Sequence, residues 1–306
     1  MTPYRETPLR SQWEHFTCLL LLSLVLLTGT VLGQDVRLQV LGSGGPELDD
    51  GRASSGYLVW VNGKARTLVD IGPGVARNFE QAQAQIDDLE ALLLSHLHVD
   101  HSADLPALVK GLFFSRRQRP LLIAGPSAST WFPDTTEFVA SIFSEQNSPY
   151  PYLSDYLDKD TVDHLNTVVV NDNWSQTVRD KVRIEARTVN HGNVPALAWR
   201  IEAAGKSIVF SGDFSGRSGA LMQLAKGADI LVCHNAIPEN TSGLARRLHA
   251  PPSVIGKTAQ AAKVKMLVLS HRMNRTTGVE DETLNIIRRH YKGPVVFAND
   301  LDIFEL

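Results

Sequence analysis

His96, His98, Asp100 and His101 fall within six consecutive positions of the segment LLLSHLHVDH. Imidazole and carboxylate are ligands that divalent metals accept, and four of them this close together are better explained by metal binding than by four unrelated core or surface groups. Where a strand ends in extended backbone, residues two apart project to the same side. His96 and His98 can therefore grip one ion, while Asp100 and His101 project from the following turn toward a second. Three further candidates stand at the ends of apolar runs: His191 in RTVNHG, Asp213 in IVFSGD and His271 in MLVLSH. Alone, each reads as a turn residue, SGD above all. Together they supply what the first cluster lacks, and strand ends are where α/β architectures gather their sites.

The elements that must position these groups can be read from hydrophobic periodicity. Strands are predicted at Val36–Leu41, Tyr57–Val61, Arg66–Asp70, Ala91–Ser95, Leu121–Ala124, Val182–Val189, Ala196–Ile201, Ser207–Ser211, Ile230–His234, Met266–Ser270 and Val295–Ala298. Helices are predicted near Val75–Gln85, Ala103–Phe114, Thr135–Glu145, Arg217–Lys226, Ser253–Lys263 and Glu280–Tyr291. Hairpins come first and helix–strand alternation later, which reads as two sheets with helices outside them. Residues 146–180, with aromatics, prolines and acids mixed, read as a loop or lid. No internal repeat and no linker composition is evident.

Composition sets the outer bounds. The chain has 306 residues, 43% of them hydrophobic and 21% charged, which excludes disorder and coiled coil. Lys+Arg 30 against Asp+Glu 33 leaves no excess of cations to neutralise a phosphate backbone, so nucleic acid is an unlikely partner on charge alone. The run FTCLLLLSLVLLTGTVLG, from Phe16 to Gly33, follows a leader carrying Arg5 and Arg10 and ends in small residues. That is the layout of a secretory signal: residues 1–33 are removed, residues 34–306 form one domain, and the product is periplasmic or secreted. The alternative is an uncleaved N-terminal anchor, since Glu6 and Glu14 cancel the leader's arginines. Membrane contact is expected only in that case. After cleavage Cys233 is the only thiol left, and disulfides drop out.

HLHVDH resembles the HxHxDH signature of the metallo-β-lactamase superfamily, and the order Asp70, HxHxDH, His191, Asp213, His271 matches that family along nearly all of the chain after the leader. The resemblance implies an α/β fold of the αββα sandwich type and two divalent ions, zinc first, with manganese or iron as substitutes. It places His96, His98, His191 and Asp213 on one ion, and Asp100, His101, Asp213 and His271 on the other, with Asp213 bridging. Asp70 would support the ligands from behind. The segment HNAIPEN…LHAPPSVIGKTAQAAKVKMLVLSHRM is similar to the C-terminal part of ribonuclease Z-like proteins and of exported arylsulfatases related to them. In those, a histidine at the position of His249 handles the leaving group, oriented by a glutamate where this chain has Asn235.

The resemblance therefore implies a binuclear hydrolase in which a metal-bridging hydroxide attacks a small sulfate or phosphate ester, arylsulfatase-like, with His249 and Asp100 in direct roles. Arg275 either holds a non-bridging oxygen or pairs at the surface. Trp131, Trp199, Phe113, Tyr150 and Tyr152 either line an aryl pocket or belong to the core. The alternatives are a tRNA 3′-processing endoribonuclease, a lactone hydrolase, and a metal-binding member without turnover. Against tRNA stand the expected export and the absence of a long glycine-rich arm, with only Arg116, Arg117 and Arg119 as a basic cluster. The expected partner is a small-molecule ester, and a homodimer is possible for the fold.

Overall fold

The computed structural model describes residues 35–306, so the expected leader lies outside the described residues. The chain runs β1 Val36–Gly42, β2 Gly56–Val61, β3 Lys64–Val69, α1 Val75–Gln81, β4 Ala91–Leu93, α2 Val99–Ser102, α3 Leu105–Leu112, β5 Leu121–Pro126, α4 Thr135–Phe143 and β6 Leu165–Val170. It continues with β7 Ser175–Val178, β8 Val182–His191, β9 Val194–Ala203, β10 Lys206–Phe210, α5 Ala220–Leu224, β11 Ile230–His234, α6 Gly243–Leu248, α7 Pro252–Ala262, β12 Met266–Ser270, α8 Glu280–Arg288, β13 Val295–Phe297 and β14 Ile303–Glu305. The turn between β2 and β3 is Asn62-Gly63, both at positive φ (54° and 71°), the geometry that a two-residue hairpin with right-handed strand twist requires.

Two seven-stranded sheets result, ordered β14-β1-β2-β3-β4-β5-β6 and β13-β12-β11-β10-β9-β8-β7. In the first, β1–β3 pair antiparallel and β3–β6 parallel. The second repeats this plan, with β7–β10 antiparallel and β10–β13 parallel. The two halves are thus built alike although their sequences show no repeat.

Strand alternation assigns each residue a layer. Leu38, Val40, Tyr57 and Val59 face Ile184, Leu197, Trp199 and Phe210 between the sheets. Leu58, Leu68 and Leu92 instead face outward onto Val75, Phe79, Leu108 and Phe143 of the helical layer. Val209, Leu231 and Leu267 do the same on the other side, against Leu221, Ile255 and Ile287. Helix, sheet, sheet, helix is the αββα sandwich expected.

Residues 146–180 are not an open lid. They contain a 3-10 turn at Pro151–Leu157 and the strands β6 and β7. β6 is half-exposed through its middle and β7 alternates exposed with half-buried positions, so neither carries the apolar signature by which buried strands are recognised. The short helix α6 went unpredicted for a related reason: six residues with only Leu244 and Leu248 as large apolar groups give no period to detect.

Candidate metal centre

Every ligand candidate sits at one end of the sandwich, at or beyond the C-terminal ends of β4, β8, β10 and β12. His96 follows β4, and His98 caps the start of α2, bringing His96 Nε2 and His98 Nδ1 to 2.9 Å. His191 ends β8; its Nδ1 donates to the Leu248 carbonyl at 2.9 Å, so its Nε2 keeps a lone pair aimed inward. These three form the first group of donors.

The second group is built around α2. His101 Nδ1 donates to Asp70 Oδ2 at 2.7 Å, which turns His101 Nε2 toward Asp100 Oδ2, 3.4 Å away. His271 Nε2 meets the same Asp100 oxygen at 3.2 Å. Asp70 also accepts from the Ser95 amide at 2.7 Å and the Ser95 hydroxyl at 2.8 Å, so it holds His101 and the residue before His96 together. Asp70 and His271 both adopt positive φ (57° and 52°), a conformation that non-glycine residues hold only where the surroundings impose it.

Asp213 lies between the groups. Its Oδ2 is 3.5 Å from His191 Nε2, 3.9 Å from His96 Nε2 and 4.0 Å from His101 Nε2, and its Oδ1 is 3.6 Å from His271 Nε2. Gly212 makes this approach possible: at φ 54° a Cβ there would stand 2.6 Å from the Leu197 carbonyl oxygen and 2.9 Å from Ser95 Cβ.

Electrostatics agree with cation binding. Burial pushes His96 well below the ordinary histidine range, with the His101 charge adding to it and Asp213 opposing. Burial works against charge on His101 too, but Asp100 and Asp70 outweigh it and hold this imidazole well above its usual value. For His271 burial is outweighed by Asp213 and Asp100, and the shift is again upward. Burial would raise Asp213, yet His271, His249 and His191 hold it well below the usual carboxylate range. The buried carboxylates Asp70, Asp100 and Asp213 thus favour positive charge at His101 and His271, and divalent ions would supply it.

Orphaned atoms make the same point. His101 Nε2, His191 Nε2 and His249 Nδ1, all facing Asp213, are buried without a hydrogen-bond partner. Buried ring nitrogens rarely stay unpaired, and imidazole with carboxylate is a donor set suited to zinc. The residues present fit a pair of divalent ions. They surround a cavity of about 190 Å³ lined by Pro46, His98, Asp100, His191, Asp213, Leu248, His249, His271 and Met273. Larger grooves elsewhere, such as that of about 580 Å³ beside Glu239 and His290, hold none of the metal-competent clusters found among the described residues.

His249 follows α6 and brings Nδ1 to 3.6 Å from Asp213 Oδ2. Burial lowers its pKa to about 4 despite Asp213, with His271, His191 and Arg275 adding to the drop. Asn235 is fully buried, but neither amide atom has a hydrogen-bond partner, so it does not orient His249. Arg275 forms no surface ion pair among the described residues; its Nε donates to the Ala236 carbonyl at 2.6 Å and Nη2 meets Met273 Sδ at 3.0 Å. None of the five aromatics lines the cavity. Trp199 is inter-sheet core, Tyr150 packs against the outer cluster, and Phe113, Tyr152 and Trp131 are exposed.

One buried group escaped the sequence reading. His234, at the end of β11, donates from Nδ1 to Asp213 Oδ1 at 2.8 Å. A signal existed, because it closes a predicted strand just as His191 and His271 close theirs. Tyr57, 3.1 Å from His234 Nε2, gave none.

The Beta-lactamase superfamily domain profile matches residues 65–272, which span every candidate ligand from His96 to His271. The chain belongs to the metallo-β-lactamase superfamily. Within that superfamily it is ribonuclease Z-like: it is 30% identical over 286 residues to the ribonuclease Z of Mycolicibacterium paratuberculosis, covering 87% of this chain and 96% of the relative. Among solved superfamily folds, YhfI from Bacillus subtilis matches 89% of this chain and 100% of its own with a TM-score of 0.70 at 22% identity. The short form of human tRNase Z matches 88% of this chain and 98% of its own, with a TM-score of 0.66 at 18% identity.

Proposed function

We propose that this hydrolase cleaves phosphodiesters, and that RNA with a 3′ extension, such as a precursor tRNA, is the substrate to test first. The observation that carries the chemistry is Asp213 set between two donor groups, with His249 beside its Oδ2 in a third cluster that shares His191 and Asp213. The ribonuclease Z relative, aligned along 96% of its length, favours RNA over the small sulfate ester that the C-terminal segment suggested. Nucleic acid thereby becomes the first partner to examine, although net charge argued against it.

His96, His98, His191 and Asp213 would hold one ion and Asp100, His101, His271 and Asp213 the other, with zinc the metal proposed. Two such ions would lower the pKa of bound water and offset charge on a transferring phosphoryl group. The chain supplies the remainder. Asp70 and the Leu248 carbonyl fix the tautomers of His101 and His191. His249 stands where it can give a proton to the departing oxygen, and a phosphodiester anion beside it raises its proton affinity.

A second reading, a small phosphodiester bearing an apolar group, is favoured by four exposed apolar residues that are near in sequence to residues lining or flanking the cavity. Leu48 lies two residues beyond Pro46, and Val99 separates His98 from Asp100. Trp131 adjoins Phe132, whose ring is 5.7 Å from that of His98, and Leu244 is one turn from Leu248 on α6. All four are exposed, at 93%, 64%, 77% and 61% respectively. Export through residues 1–33 is proposed with this reading, since an exported chain would not meet precursor tRNA.

The deciding assay gives metal-reconstituted protein a 3′-extended tRNA, bis(p-nitrophenyl) phosphate, p-nitrophenyl sulfate and a lactone. Release of the 3′ trailer supports the first reading, and hydrolysis of the small diester alone supports the second. Turnover of only the sulfate or the lactone overturns both. A mature N-terminus at residue 34 in extracytoplasmic fractions supports export, whereas Met1 retained in membranes replaces it by anchoring.

A further inference from the structure

We infer that His234 is a positioning residue for Asp213: a hydrogen-bond chain running from one sheet to the other holds Asp213 Oδ1 and leaves Oδ2 as the oxygen turned toward both donor groups. The inference rests on the two-ion reading of the cavity. Asp213 Oδ1 lies 2.8 Å from His234 Nδ1, and a carboxylate can only accept, so Nδ1 carries the ring proton. His234 Nε2 is then an acceptor, and it sits 3.1 Å from the hydroxyl of Tyr57, which reaches across from β2 in the opposite sheet. The Tyr57 oxygen is held on its other side by Ser270 Oγ at 2.9 Å. Asp213, His234, Tyr57 and Ser270 are all 2% exposed or less, so bulk water cannot replace a missing partner. Tyr57 is itself fixed by packing, with its ring centroid 5.4 Å from that of Phe210.

The two carboxylate oxygens therefore have different surroundings. Oδ1 is engaged by His234 and has only His271 besides, at 3.6 Å, whereas Oδ2 lies 3.5–4.0 Å from His191, His249, His96 and His101 with no hydrogen bond of its own. A rival role for His234 is that of a ligand, since it falls within one group with His101, Asp213 and His271. The ring nitrogens decide between them. His101 and His191 each keep Nε2, the nitrogen that faces Asp213, buried without a partner, whereas both ring nitrogens of His234 are engaged, Nδ1 by Asp213 and Nε2 by Tyr57.

The test is metal binding to the full-length protein, read as stoichiometry and affinity for Zn²⁺ and as the visible spectrum of the Co²⁺ form. Wild type should bind two ions. His234→Ala should still take up two, with affinity weakened about 10–100-fold and an altered Co²⁺ spectrum, the usual cost of removing a partner that orients a ligand. His234→Asn, whose amide nitrogen can occupy the place of Nδ1, should recover most of the affinity, whereas His234→Gln should not. Tyr57→Phe, which leaves the donor to Asp213 in place, should show an intermediate loss and serves if His234→Ala does not fold. Loss of one whole ion in both the Ala and Asn variants would make His234 a ligand. Wild-type affinity and spectrum in His234→Ala, or in Tyr57→Phe, would show that the chain positions nothing. Failure of wild type to bind any divalent ion would overturn the two-ion reading and this inference with it.

Discussion

His191 donates from Nδ1 to the Leu248 carbonyl at 2.9 Å, which ties a candidate ligand on β8 to the residue immediately before His249. The arrangement of the first donor group and the placement of the proposed proton donor are therefore mechanically linked. Arg246 adds to the link by donating to the carbonyls of Ser215 and His249 at 3.0 and 3.3 Å.

His249 can nonetheless be separated from the metals by substitution, because His191 bonds the backbone of Leu248 and not the His249 ring. His249→Ala should keep wild-type metal content. It should slow a diester with a poorly acidic alcohol by about 10²–10⁴-fold and a nitrophenyl diester far less, since nitrophenolate departs unaided. Equal losses on the two substrates would assign His249 to substrate binding, and lost metal would place it among the ligands.

Asp213 and His98 should differ in what their removal does. Asp213 faces both donor groups, whereas His98 approaches only His96 and His191. Asp213→Ala should empty both sites and His98→Ala only the first, as measured by elemental analysis after dialysis. Two ions retained in Asp213→Ala would reject the bridging role.

Asp70 acts through a tautomer. Asp70→Asn suits the positive φ of this position, and its amide oxygen can still accept from the Ser95 amide. The NH₂ group, however, would face His101 Nδ1 and favour the tautomer with the proton on Nε2. The variant should fold with a melting temperature within a few degrees of wild type while losing affinity for the second ion about 10–100-fold. Unchanged affinity would restrict Asp70 to capping the turn after β3.

Much of this site was legible in the sequence because its ligands end strands, and strands with strong apolar character can be placed without a structure. His96, His191, Asp213 and His271 were found in that way, and the structure brings them together. Tyr57 was not legible: a tyrosine inside an apolar run reads as core, and only sheet-on-sheet packing shows its hydroxyl reaching His234. The Ala236 carbonyl that holds Arg275 and the unpartnered burial of Asn235 were hidden for a similar reason, since no spacing rule encodes them. The doubling of the sheet plan was also invisible, because it resides in strand pairing and not in residue identity.

Asp229 provides a test of the fold that is independent of metal. Its carboxylate accepts from the Ser207 amide at 2.8 Å and from Lys265 at 2.7 Å, joining the start of β10 to the approach to β12. Burial would raise its pKa, but the Lys265 and Ser207 hydrogen bonds prevail and lower it. A carboxylate depressed in the folded state stabilises above its unfolded pKa of about 3.9 and loses that contribution as pH falls through the folded value. Lys265 is 72% exposed, so solvent screens the ion pair and the Ser207 bond carries most of the effect. Asp229→Asn should cost about 1 kcal/mol at pH 7, and the deficit should shrink as pH falls below about 4. Urea unfolding of the metal-free proteins at pH 7 and pH 3 measures it, and a deficit that is constant or grows with acid would mean that the Asp229 charge contributes nothing.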